Sequence, residues 1–141
     1  MSDYDIEKMR LMFVEAYRRR NANETLTPLE HQICQVIDVY PEYHDMLSHQ
    51  GGVDKVYPDP RQNPFLKMSL HLSVLEQLST NRPAGILQLY QQAITTAPPV
   101  WVEQQIASIL FDMLSESMAQ GCMPDDAIYL QRLRAHFRHS G

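Results

Sequence analysis

Histidine and carboxylate side chains are the groups in this chain whose types and spacing could do chemistry. His71 lies on an apolar helical stripe, with Met68 three residues before it and Leu75 four residues after it. A histidine on such a face must be hydrogen-bonded or bind a ligand, because burying an unpaired polar group costs free energy. We expect a core histidine that is hydrogen-bonded to a buried carboxylate or carbonyl, and Glu42 or Glu76 could supply the carboxylate.

A wider set of polar residues surrounds His71 in the sequence and forms the candidate functional cluster. Asn63 can cap the helix that Pro64 begins, and Arg82 can bind a carboxylate at the chain break that follows that helix. The cluster comprises Glu42, His44, Asn63, His71, Glu76 and Arg82.

Helical bundles turn histidine and carboxylate side chains inward to hold metals, so part of this cluster could bind a divalent metal. The candidate ligands are Glu42, His44 and His71. The chain contains no Glu-x-x-His pair, which disfavours the di-metal pattern of such bundles. It also lacks a G-x-S-x-G elbow, a Gly-rich phosphate loop and a Walker pattern, so we favour a non-enzymatic protein without a nucleotide or flavin cofactor.

Helix signals recur along the chain, whereas strand signals are weak. Thr27-Pro28-Leu29-Glu30 is a capping box, and Gly121 is suited to a helix C-terminus. The patterns predict helices over 4–20, 41–47, 64–80 and 100–120, and helices that begin near 28, 86 and 125. The prediction is an all-α fold: one bundle-like domain of six or seven helices over residues 1–141, with an irregular loop at about 51–62.

Helical periodicity also predicts which residues face the core. In the first helix the stripe comprises Ile6, Met9, Phe13 and Tyr17. In three later helices we expect the core to include Leu29, Leu114 and Ile128, and we assign Trp101 to the core as well.

Composition and charge limit the cellular locations and the classes of partner that we expect for this protein. The chain has 141 residues and a net charge of −5, which disfavours a general nucleic-acid binder, and we interpret Arg18–Arg20 as a solvated face. No apolar run approaches the ~18 residues that span a bilayer, and no signal-peptide core follows the acidic N-terminus. Cys34 and Cys122 have no C-x-x-C neighbour and are expected to be reduced. We therefore expect a cytoplasmic location and no membrane contact.

Several segments resemble a known family. They are Tyr40 to His44, Asn63 to Leu72, Glu76 to Leu78, Arg82 to Ile86 and Gly121 to Leu130. The chain is similar over about residues 26–133 to a small family of bacterial proteins, found mostly in proteobacteria and described only as a domain of unknown function. The resemblance implies that Glu42, His44, Asn63, Pro64, His71, Arg82 and Gly85 occupy characteristic positions, and it implies no activity.

The chain departs from the family pattern at two positions that bear on metal binding. Tyr40 and Lys67 stand where the pattern has histidine. In the family form, histidines four residues apart would share a helix face and could hold a metal, so Lys67 makes that site incomplete here. We therefore expect a non-enzymatic module that binds a protein partner or forms a homo-oligomer. The alternative is a helical metal-binding protein or hydrolase that uses a cluster of histidine and glutamate.

Overall fold

The computed structural model describes residues 3–48 and 59–138, and the regular secondary structure of these residues is entirely helical, with no strand. Seven α-helices follow one another: α1 (Asp3–Asn21), α2 (Pro28–Val39), α3 (His44–Ser48), α4 (Pro64–Thr80), α5 (Ile86–Ala93), α6 (Pro99–Gln120) and α7 (Asp126–Arg138). Short 3₁₀ helices at Pro41–Tyr43 and Pro60–Gln62 precede α3 and α4. The prediction of an all-α fold with six or seven helices is confirmed.

The chain divides into two compact units, Met1–Leu72 and Ser73–Gly141. Of the loop predicted at about 51–62, residues 51–58 lie outside the described residues, and the remainder contains the 3₁₀ helix Pro60–Gln62. The assignment of the whole chain to a single domain stays a prediction. None of the helices in the described ranges combines the length and the apolar character needed to cross a bilayer.

Capping residues set the ends of several helices as their types predict. The Thr27 hydroxyl accepts a hydrogen bond from the Glu30 amide, and the Glu30 carboxylate accepts one from the Thr27 amide, which completes the capping box of α2. The Asn63 side chain accepts a hydrogen bond from the Phe65 amide at 3.0 Å and so caps α4. Gly121 ends α6 with a φ of +67°, a left-handed conformation that costs glycine little.

In the first unit, α1 packs against α2 and α3. Most of the side chains that fill its core are apolar, and the polar His71 and Ser69 are buried among them. The fully buried side chains come from α1, α2 and α4. They are Phe13, Ala16, Ile33, Val36, Ile37, Phe65, Met68 and His71. The branched and aromatic members give this core its volume, so α2 is held to α1 by the burial of its residues from Ile33 to Ile37.

In the second unit, α7 packs against α5 and α6. Its most buried side chains are Val74, Ile86, Val102, Ile106, Tyr129 and Leu133. The buried Tyr129 hydroxyl donates a hydrogen bond to the Gln77 side chain at 2.8 Å, which satisfies the one polar atom that this ring brings into the core.

Four residues that periodicity assigned to the core are exposed: Leu29, Trp101, Leu114 and Ile128. In α6 and α7 the neighbouring residues Met113 and Tyr129 take the core positions, because a rotation of about 100° between adjacent residues moves the next one outward. Leu29 lies in the first turn of α2, one turn before the buried Ile33. Those core assignments are therefore wrong, and Leu29 becomes part of a surface described below.

Candidate functional site

His71 is completely buried on α4 and is hydrogen-bonded to a tyrosine. Its Nδ1 lies 3.0 Å from the Tyr40 hydroxyl, and the two rings meet edge to face with their centroids 5.7 Å apart. The expectation of a buried, hydrogen-bonded histidine is confirmed, but the partner at this nitrogen is a tyrosine hydroxyl and not the predicted carboxylate or carbonyl. Glu42 and Glu76 are both exposed.

His44 is half-buried, and one of its ring nitrogens is already occupied. Its Nε2–H donates a hydrogen bond to the Ile37 carbonyl oxygen at 2.9 Å, since a carbonyl oxygen can only accept. The imidazole also packs on the Tyr17 ring, at a centroid distance of 5.4 Å. These contacts give His44 a structural role in tying α3 to the end of α2.

The metal interpretation gains no support from this geometry. Within the two described ranges, no three side chains of His, Cys, Asp or Glu come together in an arrangement that could hold a metal ion. The Nε2 proton of His44 blocks that nitrogen as a ligand, because a metal binds the unprotonated imidazole nitrogen. A metal site built on Glu42, His44 and His71 stays a sequence prediction.

The remaining members of the cluster have local roles or none. Asn63 caps α4, as its position before Pro64 predicted. Glu76 is exposed, and its backbone carbonyl accepts the hydroxyls of Ser79 and Thr80. Arg82 is exposed and forms no ion pair with any other described residue, so the carboxylate clamp expected of it is not observed there.

The basic run at the end of α1 is neutralised by nearby carboxylates. Arg18 forms ion pairs with Glu15 at 2.7 Å and with Glu24 at 2.9 Å, and Arg20 pairs with Asp38 at 2.7 Å. Hydrogen bonds from Arg18 and then Arg19 lower the pKa of Glu15 to about 2. Little of the positive charge of Arg18–Arg20 is therefore left unpaired for a phosphate backbone, which agrees with their interpretation as a solvated face.

An open groove between α1 and α2 is a feature of the first unit that sequence reasoning missed. It holds about 450 Å³ and is lined by Lys8, Leu11, Met12, Glu15, Arg19, Thr27, Leu29, Glu30 and Ile33. Ile33 is buried at its floor, whereas Leu11 is 54% exposed and Leu29 is 45% exposed. We call this surface the α1–α2 groove.

The two ends of the α1–α2 groove differ in charge. At one end Arg19 lies between Glu15 and Glu30, at 3.1 and 3.5 Å, so the charges there neutralise one another. Lys8 also lines the groove but forms no ion pair with any other described residue. The groove therefore offers apolar side chains and a cation that is available to a partner.

The spacing of residues on α1 contains the signal that could have revealed this groove. Leu11 and Met12 lie outside the core stripe that includes Met9 and Phe13, so they form a second apolar pair on a short amphipathic helix. A helix with two apolar faces buries one in the core and leaves the other for a different contact. Helical periodicity was used to identify only the core stripe of α1, so the second apolar face was missed.

A family model described as Domain of unknown function (DUF1841) matches residues 5–135 of the chain. The chain belongs to this family. No curated protein matches it, and no solved structure does. The match confirms the resemblance to a domain of unknown function, while the bacterial distribution and the motif positions stay expectations. Membership in the DUF1841 family brings no activity, substrate or partner with it.

Proposed function

We propose that this DUF1841 protein is a non-enzymatic, cytoplasmic protein-interaction module that binds a polypeptide in the α1–α2 groove. The observation that supports the proposal is the exposure of two leucines, Leu11 and Leu29, on opposite walls of one groove whose floor is the buried Ile33. Complete burial of a leucine side chain is favourable by about 1.5–3 kcal/mol, so an occupant that covers both walls gains from each.

The shape of the groove suits a helix or an extended segment. Its walls are two packed helices, and proteins accept amphipathic helices in apolar grooves. Met12 lies beside Leu11 in the lining, and a methionine adapts its shape to different apolar partners. A polypeptide is therefore the class of ligand that this surface fits best.

The cysteines support the non-enzymatic and cytoplasmic parts of the proposal. Burial raises the pKa of the Cys34 thiol, so this sulfur stays protonated and is a poor nucleophile. The thiol contacts the Ala16 carbonyl oxygen at 3.6 Å, as expected of a packing residue. Cys34 and Cys122 are both free thiols, which is usual in a reducing compartment.

Photo-crosslinking in the native cells tests the proposal. A photoreactive phenylalanine analogue replaces Leu29 in the groove wall, and a matched variant carries it at Gln35. Gln35 is also exposed on α2 but lies about 200° around the helix from Ile33. We expect a discrete adduct from position 29 only, whose partner is identified by mass spectrometry and rebinds the purified chain. Equal labelling from both positions, or none, would overturn the proposal.

A further inference from the structure

We propose that the occupant of the α1–α2 groove is a second copy of this chain, with the two α1 helices antiparallel about a two-fold axis. This inference rests on the proposed function and names the partner. It predicts a homodimer in which each copy covers the exposed leucines of the other.

The groove face of α1 is self-complementary in sequence. Lys8, Leu11, Met12 and Glu15 all line the groove, at intervals of three, one and three residues. Antiparallel pairing about the midpoint between Leu11 and Met12 sets Leu11 against Met12 and Lys8 against Glu15. In a two-fold interface every such contact occurs twice, so the pairing gives two ion pairs around a central apolar patch.

Lys8 and Glu15 can each form the additional ion pair that this arrangement requires. Lys8 forms no ion pair with another described residue. The Glu15 carboxylate accepts three hydrogen bonds: Oε1 accepts from Arg18 at 2.7 Å and Arg19 at 3.1 Å, and Oε2 accepts from Arg18 at 3.1 Å. A carboxylate offers about four acceptor positions, so one on Oε2 can take the ammonium of the second copy's Lys8.

The spacing of Lys8 and Glu15 along α1 is also compatible with two ion pairs around one apolar patch. Lys8 and Glu15 are seven residues apart on α1, which is about 10 Å along the helix axis. The two ion pairs would thus lie about two turns from each other, on either side of Leu11 and Met12. Leu29 on the α2 wall adds apolar surface to the same patch, because it lines the groove beside them.

Among the described residues, α6 offers a further exposed apolar stripe that could enter the groove, and it lacks the matching charge. Leu114 and Met118 are exposed one turn apart on α6. The carboxylates of Asp112 and Glu116 each lie two residues from Leu114, about 200° around the axis, and Glu116 is also held by Arg132 at 2.6 Å. That stripe gives Lys8 no anion, so charge complementarity favours α1 against α1.

Sedimentation velocity of the full chain over a wide range of concentration tests the dimer. We expect the wild type to pass from monomer to dimer as concentration rises. Leu11→Asp places a charge in the apolar patch, and Lys8→Glu sets like charges against Glu15, so each should weaken association at least tenfold. The matched control Met118→Asp changes an apolar residue that is 75% exposed outside the groove and should leave association unchanged. Circular dichroism melting of each variant establishes that it is folded.

Disulfide trapping tests the register independently. In a Cys122→Ser background, a Leu11→Cys copy mixed with a Met12→Cys copy should form a mixed disulfide dimer under mild oxidation. The exposed Gln35→Cys variant, on the opposite face of α2, should form far less. Equal trapping from the two designs would overturn the antiparallel register.

The outcomes separate the dimer from the wider proposal. A wild type that stays monomeric at every concentration, or a Leu11→Asp variant that associates as the wild type does, overturns the dimer. If Leu29 then crosslinks in cells to a different protein, the groove is still an interaction surface and the proposed function stands. If position 29 crosslinks to nothing, both proposals fail.

Discussion

For His71, the sequence predicts burial and hydrogen bonding but does not predict the partner, which is Tyr40. The apolar spacing around His71 predicts that it is buried and must be hydrogen-bonded, and both are observed. The partner could not be predicted, because Tyr40 lies 31 residues away and reaches His71 only after the end of α2 has packed against α4. The negative charge of Glu42 and Glu76 made them the expected partners of His71, but the fold places the neutral Tyr40 hydroxyl beside Nδ1.

Removing the Tyr40 hydroxyl should lower stability. Tyr40→Phe keeps the ring against His71 but takes away the group that lies 3.0 Å from Nδ1. A buried polar atom that loses its partner costs about 1–3 kcal/mol, and urea unfolding measures that loss. The control is Tyr17→Phe, because the half-buried Tyr17 hydroxyl makes no hydrogen bond with another described residue. Equal stability of the two variants would show that the contact contributes nothing.

Glu15 should make stability fall in acid. Its pKa in the folded protein is about 2, below the ordinary value of 4.5, mainly because Arg18 and Arg19 donate hydrogen bonds to it. A lowered pKa means that the folded state binds the proton less readily than the unfolded state does. The stabilisation is therefore complete above about 4.5 and disappears as the pH falls toward about 2.

Denaturant unfolding at a series of pH values measures this dependence. Glu15→Gln keeps the size of the side chain and removes its titration, so the variant should lose less stability than the wild type between about pH 4.5 and 2. Because the ion pair is exposed, salt should reduce the difference. Parallel pH profiles for the two proteins would mean that these arginines do not act on Glu15 in the folded state.

At the scale of the element, the helix boundaries were the most predictable part of the structure. Capping is decided by residues within three positions of one another, so Thr27 with Glu30, Asn63 and Gly121 could each be identified without the fold. The inward faces of α6 and α7 were less predictable. Their apolar stripes are wider than the surface that their neighbours cover, which leaves Leu114 and Ile128 exposed.

The capping box of α2 should make a measurable contribution to stability. Thr27→Ala removes the hydroxyl that accepts the Glu30 amide at 3.1 Å and should cost about 1 kcal/mol in thermal or urea unfolding. Thr25→Ala is the control, because Thr25 is exposed two residues earlier and belongs to no helix. A loss of the same size in both would assign the effect to threonine in this connection and not to the cap.

At the scale of the whole molecule, the net charge of −5 does not show how the charged residues are paired locally, whereas the structure does. Carboxylates neutralise Arg18–Arg20, while Lys8 stays available in the α1–α2 groove. The absence of catalytic motifs from the sequence stays the main basis for expecting a non-enzymatic protein. Composition could not reveal the groove, since that surface exists only where α1 and α2 pack with their second apolar positions side by side. A shared function of the candidate cluster stays a prediction, and its members Asn63 and His71 have structural roles.

The central claim is that another polypeptide covers the α1–α2 groove in the cell, and hydroxyl-radical footprinting tests it most directly. Side-chain oxidation is compared by mass spectrometry between intact cells and the dilute purified chain. Met118 and Met123, which are 75% and 86% exposed, are the internal references. We expect Leu11, Met12 and Leu29 to be protected from oxidation in cells, while the two reference methionines are oxidised as in the dilute protein. Equal oxidation of the groove residues in the two samples would contradict it.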